Sequence, residues 1–246
     1  MITSKQNSLI KEIRSLSDKK FRDKLNLYIV EGKKLVCEAI ELALPIYVVI
    51  GTEKALDDLS IDGVKVEVVT EEVLSSVSAE VTPQGVMAVI RKPENALIKP
   101  SGSCVLLDGV ADPANVGAII RTAAASGYNT VYTTDDCADP FSQKAVRASM
   151  SGVFRINIVR ATRQELISII DKPFIVADMD GESLYQTKID GDFCLIIGNE
   201  GHGVSDLLIK KASKVVSIPM ANGVESLNAA VSAGLLMYGL KNQSEK

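Results

Sequence analysis

The chain has 246 residues, 46% of them hydrophobic, so it is long enough to bury one large core or two smaller ones. No run approaches the roughly 18 apolar residues of a membrane helix, and the first residues lack the apolar region of a secretion signal, so we expect a cytoplasmic protein. The net charge of −4 argues against a general nucleic-acid binder, which is usually basic, and four scattered cysteines with one histidine argue against a zinc site.

The first ninety or so residues alternate predicted helices and strands, which is typical of a small α/β domain. Apolar spacing predicts an amphipathic helix over residues 6–20. Residues 1–34 hold nine lysines and arginines against four acids, and nine minus four gives a local charge of +5. This charge is typical of a solvated helix face and is also compatible with a nucleic-acid contact. The other elements predicted here are helices at 33–43, 53–59 and 71–78 and strands at 46–50, 64–69 and 84–92, with a strand end or a turn at 27–32.

Residues 92–103 combine two prolines, a glycine and two serines without clear periodicity, which predicts a linker. We therefore expect a first domain over residues 1–93, a linker over 94–103 and a second domain over 104–246. The second domain contains strands that are apolar throughout, separated by helices. That pattern predicts an α/β fold with a parallel sheet covered on both faces. Its predicted strands are 104–109, 130–134, 155–160, 173–179, 193–199 and 214–220.

The first polar cluster follows the first of these strands. Asn115 stands where a helix would be capped. Arg121 lies further along that helix among small and apolar residues. An arginine there must face solvent, an acidic partner or an anion, because its burial without a partner would cost several kcal/mol. The functional interpretation is that Arg121 meets a phosphate or a developing oxyanion.

The second cluster is the segment GNEGHG over residues 198–203, which brings three glycines around Glu200. Glycines let a backbone approach a ligand closely. A dinucleotide fingerprint would be GxGxxG after a first strand, so a nicotinamide site is poorly supported. We interpret His202 as a loop residue rather than a catalytic acid or base.

The third cluster places Glu225, Ser226 and Asn228 where an apolar helix begins. A helix cap explains one polar side chain, but not three. The small residues that follow indicate a close approach to another helix or to a second subunit. No Walker phosphate loop and no serine–histidine–acid arrangement is evident.

These clusters, in this order and spacing, resemble the motifs of the SpoU/TrmH family of SPOUT-class RNA 2′-O-ribose methyltransferases. The matching stretches are Asn115 with Arg121, GNEGHGVS (198–205) and IPMANGVESLNAAVSAGLLMY (218–238), with KAVRASMSGVF (144–154) similar to the segment between the first two. The resemblance spans about residues 104–240. Through YIVEGKKLVCEAI (28–40), the N-terminal region is similar to the L30e/L7Ae-like substrate-binding domain that is often fused to this family.

The resemblance implies S-adenosyl-L-methionine as methyl donor, no metal, a deep trefoil knot in the second domain, and a homodimer with the active site near its interface. The residues that it implies for cofactor contact, largely through backbone groups, are Gly198, Ile218, Met220 and Leu227. Those that it implies for the catalytic and ribose–phosphate site are Asn115, Arg121, Glu200, Ser226 and Asn228. Arg121 is the family's proposed base, but we favour an electrostatic role because an arginine normally stays protonated.

The expected reaction is 2′-O-methylation of a ribose in RNA, and the fused N-terminal domain favours 23S ribosomal RNA by analogy. The alternatives are a transfer RNA substrate, a non-catalytic RNA-binding protein of the same fold, and a dinucleotide-dependent enzyme of the doubly wound class. We expect the basic N-terminal helix, with Lys144, Arg147 and Arg155, to contact RNA. The nucleotide modified, and the choice between ribosome maturation and antibiotic resistance, stay open.

Overall fold

The computed structural model describes residues 1–57, 59–61, 63–221, 223–224 and 226–244, with side chains up to Lys241 at the C-terminal end. The described chain forms two compact units. The first comprises Met1–Glu94 and Phe141–Ser151, and the second comprises Asn95–Pro140 and the chain from Gly152 on.

The elements of the first 94 residues alternate as the sequence predicts. In chain order they are α1 (Ser8–Ser15), α2 (Lys19–Leu25), β1 (Leu27–Glu31), α3 (Lys33–Glu41), β2 (Ile46–Gly51), α4 (Glu53–Asp57), β3 (Val66–Val68), α5 (Glu71–Ser75) and β4 (Val86–Arg91). The sheet has the order β1-β4-β2-β3, with β4 antiparallel to both of its neighbours and β2 parallel to β3. Its buried face, which includes Ile29, Val48 and Met87, packs on Ile10 and Ile13 of α1.

The single helix predicted over residues 6–20 is two helices, and a buried arginine gives the reason. The Arg22 Nη1 donates to the carbonyls of Leu16 (2.7 Å) and Ser17 (2.8 Å), which occupies acceptors at the end of α1. Asp18 then caps α2 by accepting the Lys20 N–H at 2.9 Å. One member of the predicted basic face is therefore 4% exposed and holds the chain together locally.

The remaining elements build the second sheet and its covering helices. They are β5 (Cys104–Asp108), α6 (Pro113–Ala125), β6 (Thr130–Thr134), α7 (Gln143–Ser149), a 3-10 helix (Met150–Phe154), β7 (Asn157–Ala161), α8 (Arg163–Ile169), β8 (Phe174–Ser183), β9 (Cys194–Gly198), α9 (Asp206–Ile209), β10 (Ala212–Ser217) and α10 (Ala229–Ser244). The sheet order is β10-β8-β9-β5-β6-β7, and every neighbouring pair is parallel. The predicted α/β architecture with a parallel sheet is confirmed.

Helix α7 belongs to the first unit, although in the sequence it comes between β6 and β7 of the second sheet. The ring of Phe141 packs on that of Tyr28, with 5.1 Å between centroids, and Arg147 forms an ion pair with Glu80. The domain limits expected at residues 93 and 104 stay a prediction. None of the helices in the described parts of the chain combines the length and the apolar composition needed to cross a bilayer.

Candidate active site

A cavity of about 450 Å³ lies at the carboxyl ends of three neighbouring strands of the parallel sheet. Strands β9 and β10 contribute their ends, β8 contributes residues 177–179 just after its last residue paired with β9, and the segment leading into α10 completes the wall. The lining residues are Ala177, Asp178, Met179, Ile197, Gly198, Asn199, Glu200, Gly203, Val216, Ile218, Met220, Ser226, Leu227, Asn228, Ala229, Ser232 and Leu236. Ligands of open parallel sheets bind at this edge, so the cavity is the candidate site.

Seven of the nine residues predicted for the site line this cavity. They are Gly198, Glu200, Ile218, Met220, Ser226, Leu227 and Asn228. Asn115 reaches the cavity wall through hydrogen bonds, whereas Arg121 is not among the lining residues. Glu225, which the sequence singled out beside Ser226, lies outside the described residues.

A chain of hydrogen bonds joins the three motifs at the cavity wall. The Asn115 Nδ2 donates to Glu200 Oε1 at 2.8 Å, and the Asn115 Oδ1 accepts from Asn228 Nδ2 at 2.9 Å. The Asn228 Oδ1 accepts the backbone N–H groups of Ala230 (2.9 Å) and Val231 (3.3 Å), so Asn228 caps α10. Asn115 is only 8% exposed, and both its amide nitrogen and its amide oxygen form hydrogen bonds here, which fixes the orientation of the amide.

Glu200 is held by donors on two sides. Besides Asn115, its carboxylate accepts the backbone N–H groups of Ala111 (3.1 Å) and Asp112 (3.4 Å). Partial burial raises the pKa of Glu200, but the hydrogen bonds from Asn115, Ala111 and Asp112 outweigh it and leave the pKa below the ordinary value. Glu200 is therefore an anion at neutral pH and is oriented mainly by the loop after β5.

The glycine-rich turn after β9 needs glycine at its first position. A Cβ on Gly198 would lie 2.3 Å from the Gly203 carbonyl carbon, closer than any side chain tolerates. The turn is closed by paired 2.9 Å backbone bonds between Asn199 and Gly203. The Asn199 side chain accepts from the backbone N–H of Gly201 and of His202 and donates to the Gly109 carbonyl at 2.7 Å. Asn199 thus ties this turn to the loop after β5.

A network of ion pairs next to these loops was not predicted from the sequence. The Asp108 side chain is fully buried, and its two oxygens accept from Arg163 Nε (2.6 Å) and from the Ser205 N–H (2.7 Å). Arg163 Nη2 also donates to Asp136 at 2.7 Å. Although burial raises the pKa of Asp136, its bonds from Thr134 and Arg163 lower it below the ordinary value. The network links the ends of β5 and β6 to the start of α8. In the sequence it is indicated only by Asp108, an acidic residue at the end of an otherwise apolar strand.

Arg121 lies on the exposed part of α6. Within the described part of the chain, its side chain forms no hydrogen bond or ion pair. Gly152 packs against its backbone, since a Cβ there would lie 2.8 Å from the Arg121 Cα. A single chain therefore does not bring Arg121 into the lining of the cavity with Glu200, Ser226 and Asn228.

Replacing Asn228 by alanine should lower the free energy of unfolding by about 1 kcal/mol, because the cap of α10 is lost. Asn228→Ser keeps a capping oxygen and should lose only a few tenths of a kcal/mol. Urea unfolding at pH 7 followed by circular dichroism measures both. Equal losses for the two variants would show that the cap is not what Asn228 contributes.

Comparison with known proteins agrees with this geometry. A model of the SpoU rRNA Methylase family matches residues 102–238, more than half of the chain, and a model of the MRM3-like substrate binding domain matches residues 7–88. The 23S rRNA (guanosine(2553)-2′-O)-methyltransferase RlmP of Bacillus subtilis is 33% identical, covering 98% of both chains. The 23S rRNA (guanosine-2′-O-)-methyltransferase RlmB of Vibrio vulnificus is 25% identical, covering 93% of both.

Solved structures give the same result. An AdoMet-bound rRNA methyltransferase from Sinorhizobium meliloti matches with a TM-score of 0.88 at 31% identity, covering 98% of this chain and 97% of that one. The family resemblance drawn from the three motifs is thereby confirmed, and so is the SPOUT-type α/β fold. The chain belongs to the SpoU rRNA methylase family.

Proposed function

We propose that this protein transfers a methyl group from S-adenosyl-L-methionine to a ribose 2′-hydroxyl of 23S ribosomal RNA in the cytoplasm. The observation that carries the proposal is the series of hydrogen bonds Glu200–Asn115–Asn228, which joins three separate motifs at the wall of one cavity. RlmP and RlmB, whose names specify 2′-O-methylation of guanosine in 23S rRNA, support the substrate. The guanosine equivalent to that of RlmP is the first position to test.

The cavity suits the proposed donor. The side chains of Ile218, Met220 and Leu227 offer apolar contact to an adenine ring, and the volume of about 450 Å³ falls within the range of small-molecule sites. Among the described lining residues there are two carboxylates and no lysine, arginine or histidine, which fits a ligand of net positive charge. When bound, the donor supplies a methyl group that its sulfonium already activates.

The residues of the chain supply orientation and charge. Asn115 and Asn228 hold each other in one amide orientation, and Glu200 is fixed as an anion beside them. Ser226 is an exposed residue of the same wall, and its hydroxyl would contact the substrate. Arg121 would stabilise the negative charge that develops on the 2′-oxygen as it attacks the methyl group and its proton passes to solvent, since a guanidinium stays charged at neutral pH.

We place Arg121 at the active site through a homodimer. Its side chain is exposed within one chain, and α10, which contacts α6, carries an exposed apolar stripe of Val231 (50%), Leu235 (46%) and Tyr238 (56%). A second copy of the chain that covers this stripe would bury its apolar side chains and would bring Arg121 near the cavity of the partner subunit. Light scattering should give twice the 26.3 kDa of one chain, and a mass of 26.3 kDa would exclude the dimer.

The first domain is proposed to bind the RNA substrate, in line with its match to a substrate binding domain. Two of the basic residues are used within the first unit, since Arg22 is buried and Arg147 pairs with Glu80. The exposed lysines at positions 11, 20, 24 and 34 remain for phosphate contacts. A deep trefoil knot in the second domain also belongs to this proposal.

The test of the function is a map of ribose methylation in ribosomal RNA from cells with and without the gene. We expect one 2′-O-methylated position of 23S rRNA to disappear on deletion and to return with the wild-type gene. A position lost from transfer RNA instead would change the substrate. An unchanged map, together with no binding of S-adenosylmethionine to the pure protein, would favour a non-catalytic RNA-binding protein.

A further inference from the structure

Asp178 is a carboxylate in the cavity that the network around Glu200 does not use. It lies in β8 and lines the cavity, and its Oδ1 accepts the Asp180 N–H at 3.1 Å. Within the described residues its Oδ2 has no hydrogen bond, and no basic side chain pairs with it. The lining residues that the structure describes include no lysine, arginine or histidine, so this acceptor-only group is suited to a donor on the ligand.

The order of the strands places Asp178 between two chemically different parts of the cavity. Strand β8 lies between β10 and β9. The apolar side chains of Ile218 and Met220 follow β10, whereas Glu200 follows β9 and contacts Asn115 beyond β5. The paired part of β8 lies about 4.8 Å from each neighbouring strand. Asp178 comes two residues after Val176, where the regular pairing with both strands ends, so it lies between the apolar part and the polar part.

The adenosyl donor has its groups in a matching order, with adenine, then ribose, then the sulfonium. The transferred methyl group must lie at the polar end beside Glu200 and Asn228, and the adenine suits the apolar end. The ribose would then lie next to the part of β8 that carries Asp178. Its two neighbouring hydroxyls are donors that a carboxylate accepts, as acids do for the ribose in dinucleotide-binding folds.

We propose that Asp178 accepts hydrogen bonds from the ribose hydroxyls of the adenosyl cofactor and is a specificity-determining residue of the cofactor site. This assignment rests on the proposed function. A hydrogen bond to Asp178 would make the cavity selective for ligands that carry a ribose, whereas its apolar contacts could be made with any flat ring.

Calorimetry with S-adenosylhomocysteine tests the assignment without turnover. We expect Asp178→Ala to weaken binding about tenfold, which corresponds to 1.4 kcal/mol. Asp180→Ala is the matched control, because Asp180 is an exposed acid two residues along the same strand and does not line the cavity. Its dissociation constant should equal that of the wild type. Equal weakening by both variants would overturn the role of Asp178.

A ligand cycle identifies the group that Asp178 contacts. The 2′-deoxy and 3′-deoxy forms of S-adenosylhomocysteine should bind the wild type more weakly than unmodified S-adenosylhomocysteine does. The Asp178→Ala variant should bind all three ligands with about the same affinity. If deoxygenation weakens both proteins by the same factor, Asp178 does not contact the ribose. Should Asp178→Ala not fold, Asp178→Asn takes its place in the same cycle. Failure of the wild type to bind either adenosyl ligand would instead remove the proposed function.

Discussion

Arg121→Ala is expected to reduce the rate of methyl transfer by about 10²–10³-fold, the range measured when one oxyanion donor is removed. The dissociation constant for S-adenosylmethionine should stay within about twofold of the wild type, because Arg121 does not line the cavity. Single-turnover methylation of an RNA fragment measures the rate, and calorimetry measures the binding. The rate of Arg121→Lys should fall between those of the wild type and Arg121→Ala, because lysine keeps the charge but lacks the planar guanidinium with its several donors.

Lys210→Ala is the control for loss of an exposed positive charge in the same unit, and its rate should match that of the wild type. Near-normal turnover of Arg121→Ala would remove the guanidinium from the mechanism. Equal losses of rate and of cofactor affinity would point to damage of the fold around α6 instead.

Mixed dimers show which subunit supplies the arginine. A dimer of one Arg121→Ala chain and one Glu200→Gln chain holds one intact site only if Arg121 acts on the partner's cavity. Its activity should then approach half of that of the wild type. If Arg121 acts within its own chain, neither site is intact, and the mixed dimer should be as inactive as the two parent variants.

Asp108→Asn is expected to cost about 3 kcal/mol of unfolding free energy, at the lower end of the range for breaking a buried ion pair. The side chain is fully buried, and both oxygens accept from donors, Arg163 Nε and the Ser205 N–H. An amide offers one acceptor and turns its NH₂ toward the other donor. The lower end applies because Arg163 is 29% exposed and keeps its bond to Asp136.

Chemical denaturation at pH 7 gives this value, with Asp135→Asn as the control. Asp135 pairs with Arg160 at 3.9 Å and its side chain is 61% exposed, so the loss should stay below about 1 kcal/mol. A loss at Asp108 no larger than that at Asp135 would show that the buried network contributes little. Because the network holds Ser205 at the end of the turn that carries Glu200, Asp108→Asn should also slow methyl transfer.

The parallel sheet and the family could both be predicted from the sequence because their signals are local. Strands such as β5 and β9 are apolar throughout, which only burial on both faces accommodates. Each motif is a short stretch whose residue types are legible without knowledge of its neighbours. The single helix predicted over residues 6–20 was wrong because the Arg22 contacts that end α1 do not show in apolar spacing.

The sequence by itself determined the residue types of the site, namely a glycine turn with an acid and a helix of small residues capped by a polar side chain. The cap expected at Asn115 was wrong, because Asp112 caps α6 and Asn115 lies within its first turn. Only the tertiary structure decided which of the site residues meet. Asn115 is 85 residues from Glu200 and 113 from Asn228, and Asp108 is 55 from Arg163. The strand order brings these groups together at the carboxyl ends of the strands, whereas Arg121 is exposed on α6 and Asp178 lines the cavity. The physical reason is that contact depends on which strands are neighbours and which way each loop turns, and a parallel sheet settles both through pairings between distant segments.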